Sequence, residues 1–331
     1  AGGGIGKFDG KTFENHYEKD RKVTVWALVI DKNDNIFLAT TDGIIKYDGK
    51  NLFYTGDVNL NNQALIQGAK LPGEKIDTLI LESTYGATNS NDFLPSQKEI
   101  ERLIKSINQI INDGGSILIP VFALGKMQEM LKILWDFMRK GRLVQVDIYS
   151  GGLGDEISYV YDYNRYVVNM VEPDFELKSI PRKNIYDVTN PNDFFKSPGI
   201  VLASSGMILE RTVSFKLAKE WLKQKQSAIF TVGYIDKNTP GYKIVNAQKG
   251  EKIKLTEYSE EIEVKCTVEQ FKISAHSKRE DLLKLVKKLK PDKVILIHGD
   301  ADSINWMGAS ILKNFKGTKV FAADIGKEIV I

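Results

Sequence analysis

From Asp77 onward the chain alternates short apolar runs with longer stretches whose apolar residues recur at helical spacing, an order that few folds can satisfy. Thr78–Glu82 predicts a buried strand, and Ser96–Asn112 a helix carrying Ile100, Leu103, Ile104, Ile107, Ile110 and Ile111 on one face, stopped by Gly114-Gly115. Strands are then expected at 117–121, 144–149, Gly199–Ala203 and 228–234, and helices at 124–139 and 214–223, with an irregular stretch after Tyr149. Near the end, Ser277 and Glu280 have capping-box spacing and predict a helix through Leu289, followed by the strand Lys293–Ile297. Strands separated by helices pair most simply in parallel, so the expected class is α/β with a mostly parallel sheet.

The first fifty residues follow another rule. Gly4-Ile5-Gly6-Lys7-Phe8-Asp9-Gly10-Lys11 returns as Gly43-Ile44-Ile45-Lys46-Tyr47-Asp48-Gly49-Lys50, a period of 39 residues, which is the spacing of a propeller blade. Residues 23–30 and 35–40 predict strands, so this segment is expected to be a short all-β, blade-like piece; an ordinary β-meander is the alternative. One blade cannot close a propeller. Ala1, followed by Gly2-Gly3-Gly4, leaves open that the visible start is processed, tagged or the edge of a longer protein.

Composition narrows the chemistry. With 331 residues, 42% of them hydrophobic, the chain can build two or three cored domains. Its formal charge of +3 and its 27% charged residues show no basic tail of the kind that announces non-specific nucleic-acid binding. The lysines at 278, 284, 287, 288 and 290 read as the solvated face of one helix. A single cysteine, Cys266, excludes an internal disulfide and cysteine-rich metal sites, and a cytoplasmic location is the expectation. The longest apolar run, 116–124, is too short to span a membrane. Histidine is scarce: His16, His276 and His298 are the only ones, so any metal site is poor in imidazole.

Four segments place an ionisable residue just beyond an apolar run: Phe53-Tyr54-Thr55-Gly56-Asp57, Leu81-Glu82-Ser83-Thr84-Tyr85-Gly86, Ser274-Ala275-His276 and Leu296-Ile297-His298-Gly299. Strand ends are where α/β sheets keep their sites, and two carboxylates with two imidazoles suit metal binding and proton transfer. The alternative is that Asp57 and Glu82 cap turns while the histidines are hydrogen-bonded near the surface. Around Gly125 and Gly206, backbone N–H groups at helix starts, with the hydroxyls of Ser204 and Ser205, suit a phosphate; tight turns that need glycine explain the same residues.

In this order the four segments resemble the beta-CASP nucleases of the metallo-β-lactamase superfamily, which include the polyadenylation endonuclease subunit and ribonuclease J. The resemblance runs from about Asn51 to Ile331. It is supported by the runs 114–125, Ala203-Ser204-Ser205-Gly206-Met207, and Gly233-Tyr234 through Thr239-Pro240-Gly241. The segment before it resembles the repeat of two-component regulator propellers.

The resemblance implies a metallo-β-lactamase αββα domain, only partial here, with an inserted α/β beta-CASP domain. The implied limits are a blade-like segment at 1–50, the first part of the metallo-β-lactamase-like domain at 51–88, the beta-CASP domain at 89–265, and the second part at 266–331. It implies Asp57 and His298 as metal ligands, Glu82 orienting His276 as general acid, and Gly125, Ser204, Ser205, Gly206 and Thr239 as contacts to the substrate. It also implies two zinc ions in intact relatives and single-stranded RNA as partner, with a homodimer as a further expectation.

The resemblance breaks upstream of Asp57. The family's His-x-His-x-Asp-His motif is absent, as is its further histidine between Asp57 and Glu82, and His16 has none of the required partners at the required spacing. Tyr242 stands where the family usually has arginine, and 210–213 replaces a glycine-containing turn. The run 43–50 suits both the propeller turn and the strand before Thr55-Gly56-Asp57, so a join is expected there, with the blade partly covering an exposed sheet edge. The reading is of a metallo-hydrolase-like protein with weak or absent zinc and impaired hydrolysis. Its alternatives are a non-catalytic RNA-binding module and a fragment of a larger propeller–nuclease protein.

Overall fold

The computed structural model describes residues 51–323 and, within the first fifty residues, five strand segments. These are β1 (Gly6–Phe8), β2 (Phe13–Asn15), β3 (Val25–Ile30), β4 (Ile36–Thr40) and β5 (Gly43–Tyr47). β1 and β2 pair antiparallel, and β3-β4-β5 form a separate antiparallel meander in which Ile36 faces Tyr47 and Thr40 faces Gly43. The turn residues of the repeated motif and His16 lie outside the described residues.

The chain continues through β6 (Leu52–Tyr54), β7 (Thr78–Glu82), α1 (Ser96–Asn112), β8 (Ile117–Pro120), α2 (Lys126–Arg139) and β9 (Asp147–Ser150). It goes on with α3 (Leu153–Tyr163), β10 (Lys183–Asn184), β11 (Gly199–Ala203), α4 (Val213–Trp221), β12 (Ala228–Val232) and α5 (Pro240–Asn246). The last elements are β13 (Lys252–Lys254), β14 (Glu261–Glu263), β15 (Thr267–Phe271), α6 (Arg279–Leu289), β16 (Lys293–Ile297), α7 (Ala301–Asn314) and β17 (Lys319–Ala322). They fall into two compact units: 1–60 with 69–92 and 276–331, and 61–68 with 93–275.

The first unit is built on a parallel sheet ordered β17-β16-β7-β6. Leu79, Leu81, Val294 and Leu296 fill one core with Leu282, Leu285 and Val286 of α6 and Met307 and Ile311 of α7. Helix α6 ends at Lys290, which takes the left-handed conformation (φ 48°) ahead of Pro291, where a helix cannot continue. The predicted capping box does not form. The hydroxyl of Ser277 instead accepts from Leu60 N–H at 3.0 Å, and Glu280 binds Ser90 and Arg279.

The second unit carries the parallel sheet β10-β9-β11-β8-β12-β15. Its central strands β8, β11 and β12 are buried at every position, which explains their unbroken apolar runs. Helix α1 lays its isoleucine face on this sheet and stops in a Schellman turn, with Gly114 at φ 82° and Gly115 N–H donating to Ile110 O at 2.9 Å. On the other face Trp221 is wholly buried against Phe194 and Phe195, and its indole N–H donates to Ser116 O at 3.2 Å. Segment 61–68 is held by Glu129, whose two carboxylate oxygens accept from Ala64 and Leu65 N–H at 2.7 and 3.0 Å. Helix α3 falls in the stretch expected to be irregular. No helix among the described residues is long and apolar enough to cross a membrane.

At the start of α2, Lys126 is buried and donates to Ile273 O at 2.8 Å. Burial lowers its pKa from the ordinary 10.5 to about 8, against the opposing pull of the Glu129 carboxylate. Between those two values the unfolded chain holds the extra proton, so this group makes stability rise with pH. Chemical denaturation across that window should therefore move the stability difference between the wild type and Lys126→Met in favour of the wild type as pH rises. A second expectation concerns Gly115, where an added Cβ would run into the backbone carbonyl of Gln226. Gly115→Ala should lower stability by about 1–3 kcal/mol, read as a lower denaturant midpoint.

Candidate metal centre

Three neighbouring parallel strands of the first unit deliver the site. Their register aligns Tyr54 with Ile80 and Glu82 with Ile297, so the chain segments beyond β6, β7 and β16 leave the same edge side by side. Backbone bonds extend the alignment past the strands: Thr55 N–H donates to Ile80 O at 3.0 Å, and Ser83 N–H to His298 O at 3.2 Å. Gly299 is needed there because a Cβ would lie 2.8 Å from Ser83 O. His298 itself takes the left-handed conformation, φ 50°, which is uncommon for a non-glycine residue and concentrates at functional sites.

His276 arrives from outside this sheet and is anchored by its neighbour. Ser277 N–H donates to Val58 O at 2.7 Å while the Ser277 hydroxyl takes Leu60 N–H, so 276–277 is stitched to the segment that carries Asp57. The result brings Asp57, His276 and His298 together, with one ligand atom of each within 4.8 Å of the others. The two imidazole rings stack, with centroids 5.6 Å apart and an interplanar angle of 18°.

Behind the cluster lies Glu82, whose side chain is 0% exposed, against 16% for His276. Asp57 and His298 face solvent, at 63% and 52%. Glu82 Oε1 accepts from Val58 N–H at 2.6 Å, and Oε2 accepts from the Thr84 hydroxyl at 2.6 Å and from His276 Nδ1 at 2.9 Å. A carboxylate that holds an imidazole by Nδ1 leaves Nε2 as the nitrogen available to a metal or a transferable proton. The exposure gradient from Glu82 outward makes a buried anchor with an open mouth.

One carboxylate and two imidazoles match the three-ligand set of a catalytic zinc with one open position. They fit a single ion. Among the described residues no other three histidine, cysteine, aspartate or glutamate donors come together, so donors for a second ion are not assembled there. His276, expected as a proton donor, lies in the same cluster as Asp57 and His298, the two residues expected as ligands. Thr84 and Ser277 bond to the same groups without a sequence motif that announces them; the only local signal for Thr84 is its place two positions beyond Glu82.

The residues expected to meet substrate belong to the second unit and lie beyond adjacent strands of its sheet. Ser204 O and Ser205 O accept from the backbone and hydroxyl of Ser214, at 3.0 and 2.7 Å. Gly206 packs on Phe122, where a Cβ would come 3.0 Å from the backbone nitrogen. Gly241 N–H donates to Met207 O at 3.0 Å, which draws the start of α5 and Thr239 to the same edge. The Thr239 hydroxyl donates to Asp236 O at 2.6 Å. Gly125, at φ 77°, donates its N–H to the Gln128 side chain at 2.7 Å, so this donor is already satisfied within the chain.

Comparison with known proteins bears on the same residues. Residues 127–244 match the Beta-Casp domain, and residues 261–323 match the Zn-dependent metallo-hydrolase RNA specificity domain. The chain is 31% identical over 297 residues to the RNase J-like protein of Methanocaldococcus jannaschii, covering 86% of this chain and 66% of that protein. It is 31% identical over 289 residues to cleavage and polyadenylation specificity factor subunit 3 of Dictyostelium discoideum, covering 84% and 36%. With transcription termination factor FttA of Methanothermobacter thermautotrophicus the identity is 29% over 294 residues, covering 81% and 44%. The chain thus spans just under two thirds of the first relative's length and less than half of the other two. Two matched domains, strand-end acids and histidines in the order of the resemblance, and these relatives place the chain in the beta-CASP family of the metallo-β-lactamase fold.

Proposed function

We propose that this chain is an RNA-directed metallo-hydrolase-like protein that holds one zinc ion and hydrolyses phosphodiesters poorly or not at all. The observation that carries this reading is the Asp57, His276 and His298 cluster backed by the buried Glu82. Asp57 and the two imidazoles would hold the ion, which when bound supplies Lewis acidity toward a phosphodiester. Glu82 fixes His276 through Nδ1, so a proton handed to a leaving oxygen would depart from Nε2. If His276 is spent as a ligand, that acid is lost, and with no second donor set among the described residues a single ion cannot share the charge on attacking and leaving oxygens as a two-metal site does.

Single-stranded RNA is the proposed partner, supported by the matched RNA specificity domain and by the similarity to an RNase J-like protein and a cleavage and polyadenylation specificity factor subunit. Ser204, Ser205, Gly206 and Thr239, gathered at one sheet edge, are the proposed backbone-contacting residues, with Gly125 contributing turn geometry rather than a donor. The domain limits read from the sequence, the propeller-like character of residues 1–50, a homodimer and a cytoplasmic location belong to the same proposal.

Zinc content of the purified chain, measured with RNA binding and cleavage on the same sample, tests it. About one equivalent of zinc, lost in Asp57→Ala, is expected, with salt-sensitive RNA binding and little turnover. Two equivalents with cleavage that depends on Asp57 would overturn the impaired reading, and zinc retained by Asp57→Ala would overturn the ligand assignment.

A further inference from the structure

We propose that Thr84 is a positioning residue that sets the tautomer of His298, passing the polarity of the buried Glu82 carboxylate to an imidazole Glu82 does not touch. The argument is one of counting protons. A carboxylate only accepts, so each contact to Glu82 must come from a donor. At Oε2 those donors are the Thr84 hydroxyl, at 2.6 Å, and His276 Nδ1–H, at 2.9 Å.

Thr84 owns one hydroxyl proton, and the short bond to Glu82 uses it. A second oxygen acceptor, His298 O, is farther away at 3.3 Å. Toward His298 Nδ1, at 2.9 Å, the Thr84 oxygen therefore offers only a lone pair, and that nitrogen must bring the hydrogen. Asp57 does not compete for it, since its Oδ1 lies 3.6 Å from His298 Nδ1, beyond hydrogen-bonding range. The contact from Thr84 to His276 Nδ1 is the longer branch at 3.3 Å and leaves that nitrogen bonded to Glu82.

Both rings thus carry hydrogen on Nδ1 and keep the basic lone pair on Nε2. For His276 the Glu82 carboxylate enforces this directly. For His298 a hydroxyl relays it, so one buried charge commits two imidazoles. The consequence for metal binding, that both histidines would ligate through Nε2, rests on the metal-centre reading given above; the tautomer itself does not.

The chain's three histidines make the test tractable, because a 15N-histidine label gives only three rings to resolve. Long-range proton–nitrogen correlation on metal-free protein, followed upward in pH until the ring signals stop changing, reads the tautomer of each neutral ring. His298, identified by its absence in His298→Gln, is expected as the Nδ1–H form in the wild type and in Thr84→Ser. It should lose that form in Thr84→Val, whose zinc affinity should fall about 10- to 100-fold and return in Thr84→Ser.

An Nε2–H His298 in the wild type, or an unchanged tautomer in Thr84→Val, would overturn the relay. Should Thr84→Val not fold, the wild-type and Thr84→Ser spectra decide by the same criterion. An Nδ1–H His298 in a chain that binds no zinc would support the relay while refuting the metal reading, so the two fail separately.

Discussion

Everything assembled at the edge of the first unit leans on the burial of one carboxylate. Glu82 is removed from water and takes hydrogen bonds from a backbone amide, a hydroxyl and an imidazole, each from a different stretch of chain. Charge-assisted bonds of this kind are about twice as strong as neutral ones, and an ionised group so deep is tolerable only when its lone pairs are met. Loss of any one donor would leave part of a buried charge unanswered. Val58, Thr84 and His276 are therefore tied to one another through Glu82, and Val58 is packed into the core of the unit as well.

The same economy of partners governs the second unit, with glycine in place of charge. Where β8 and β11 end, backbones approach too closely for side chains: Gly206 against Phe122, and Gly241 against Met207. These contacts hold the Ser204–Gly206 turn and the start of α5 together. Gln128 adds a side-chain clamp at Gly125, donating in turn to Ala123 O at 3.0 Å and to Gly154 O at 2.8 Å.

How much of this was legible in the sequence depended on whether the signal was local. α1, β7, β11 and β16 stand at the residues predicted, because a continuous apolar run or a single apolar stripe reports burial directly. α3 was hidden: Gly151-Gly152 reads as a break, and Leu153, Tyr159, Val160 and Tyr163 are exposed, so no clean stripe forms. α2 begins at Lys126 rather than 124 because Gly125 takes φ 77°. At the site, Asp57, Glu82 and His298 could be picked out because parallel strands deliver their ends to one edge. The place of His276 beside Asp57 and His298 depends on Ser277 meeting Val58 and Leu60, a long-range contact with no local pattern, whereas the spacing of Ser277 and Glu280 points to a helix cap. Tertiary hydrogen bonds competed with the local motif and won.

The division of the chain has a consequence for its synthesis. The backbone passes between the two compact units at residues 60, 68, 92 and 275, so neither unit is one contiguous piece. β7 must wait for β16, its partner from Thr78↔Lys293 to Glu82↔Ile297, which the ribosome makes only after the whole of 93–275. Until then β7 and its carboxylate have no sheet neighbour on that side, while the second unit already has all its strands. The nascent chain should therefore complete its later-starting unit first, and the unit that holds Glu82 should close only as β16 and β17 leave the exit tunnel, a high-contact-order step that makes this half the slower to form.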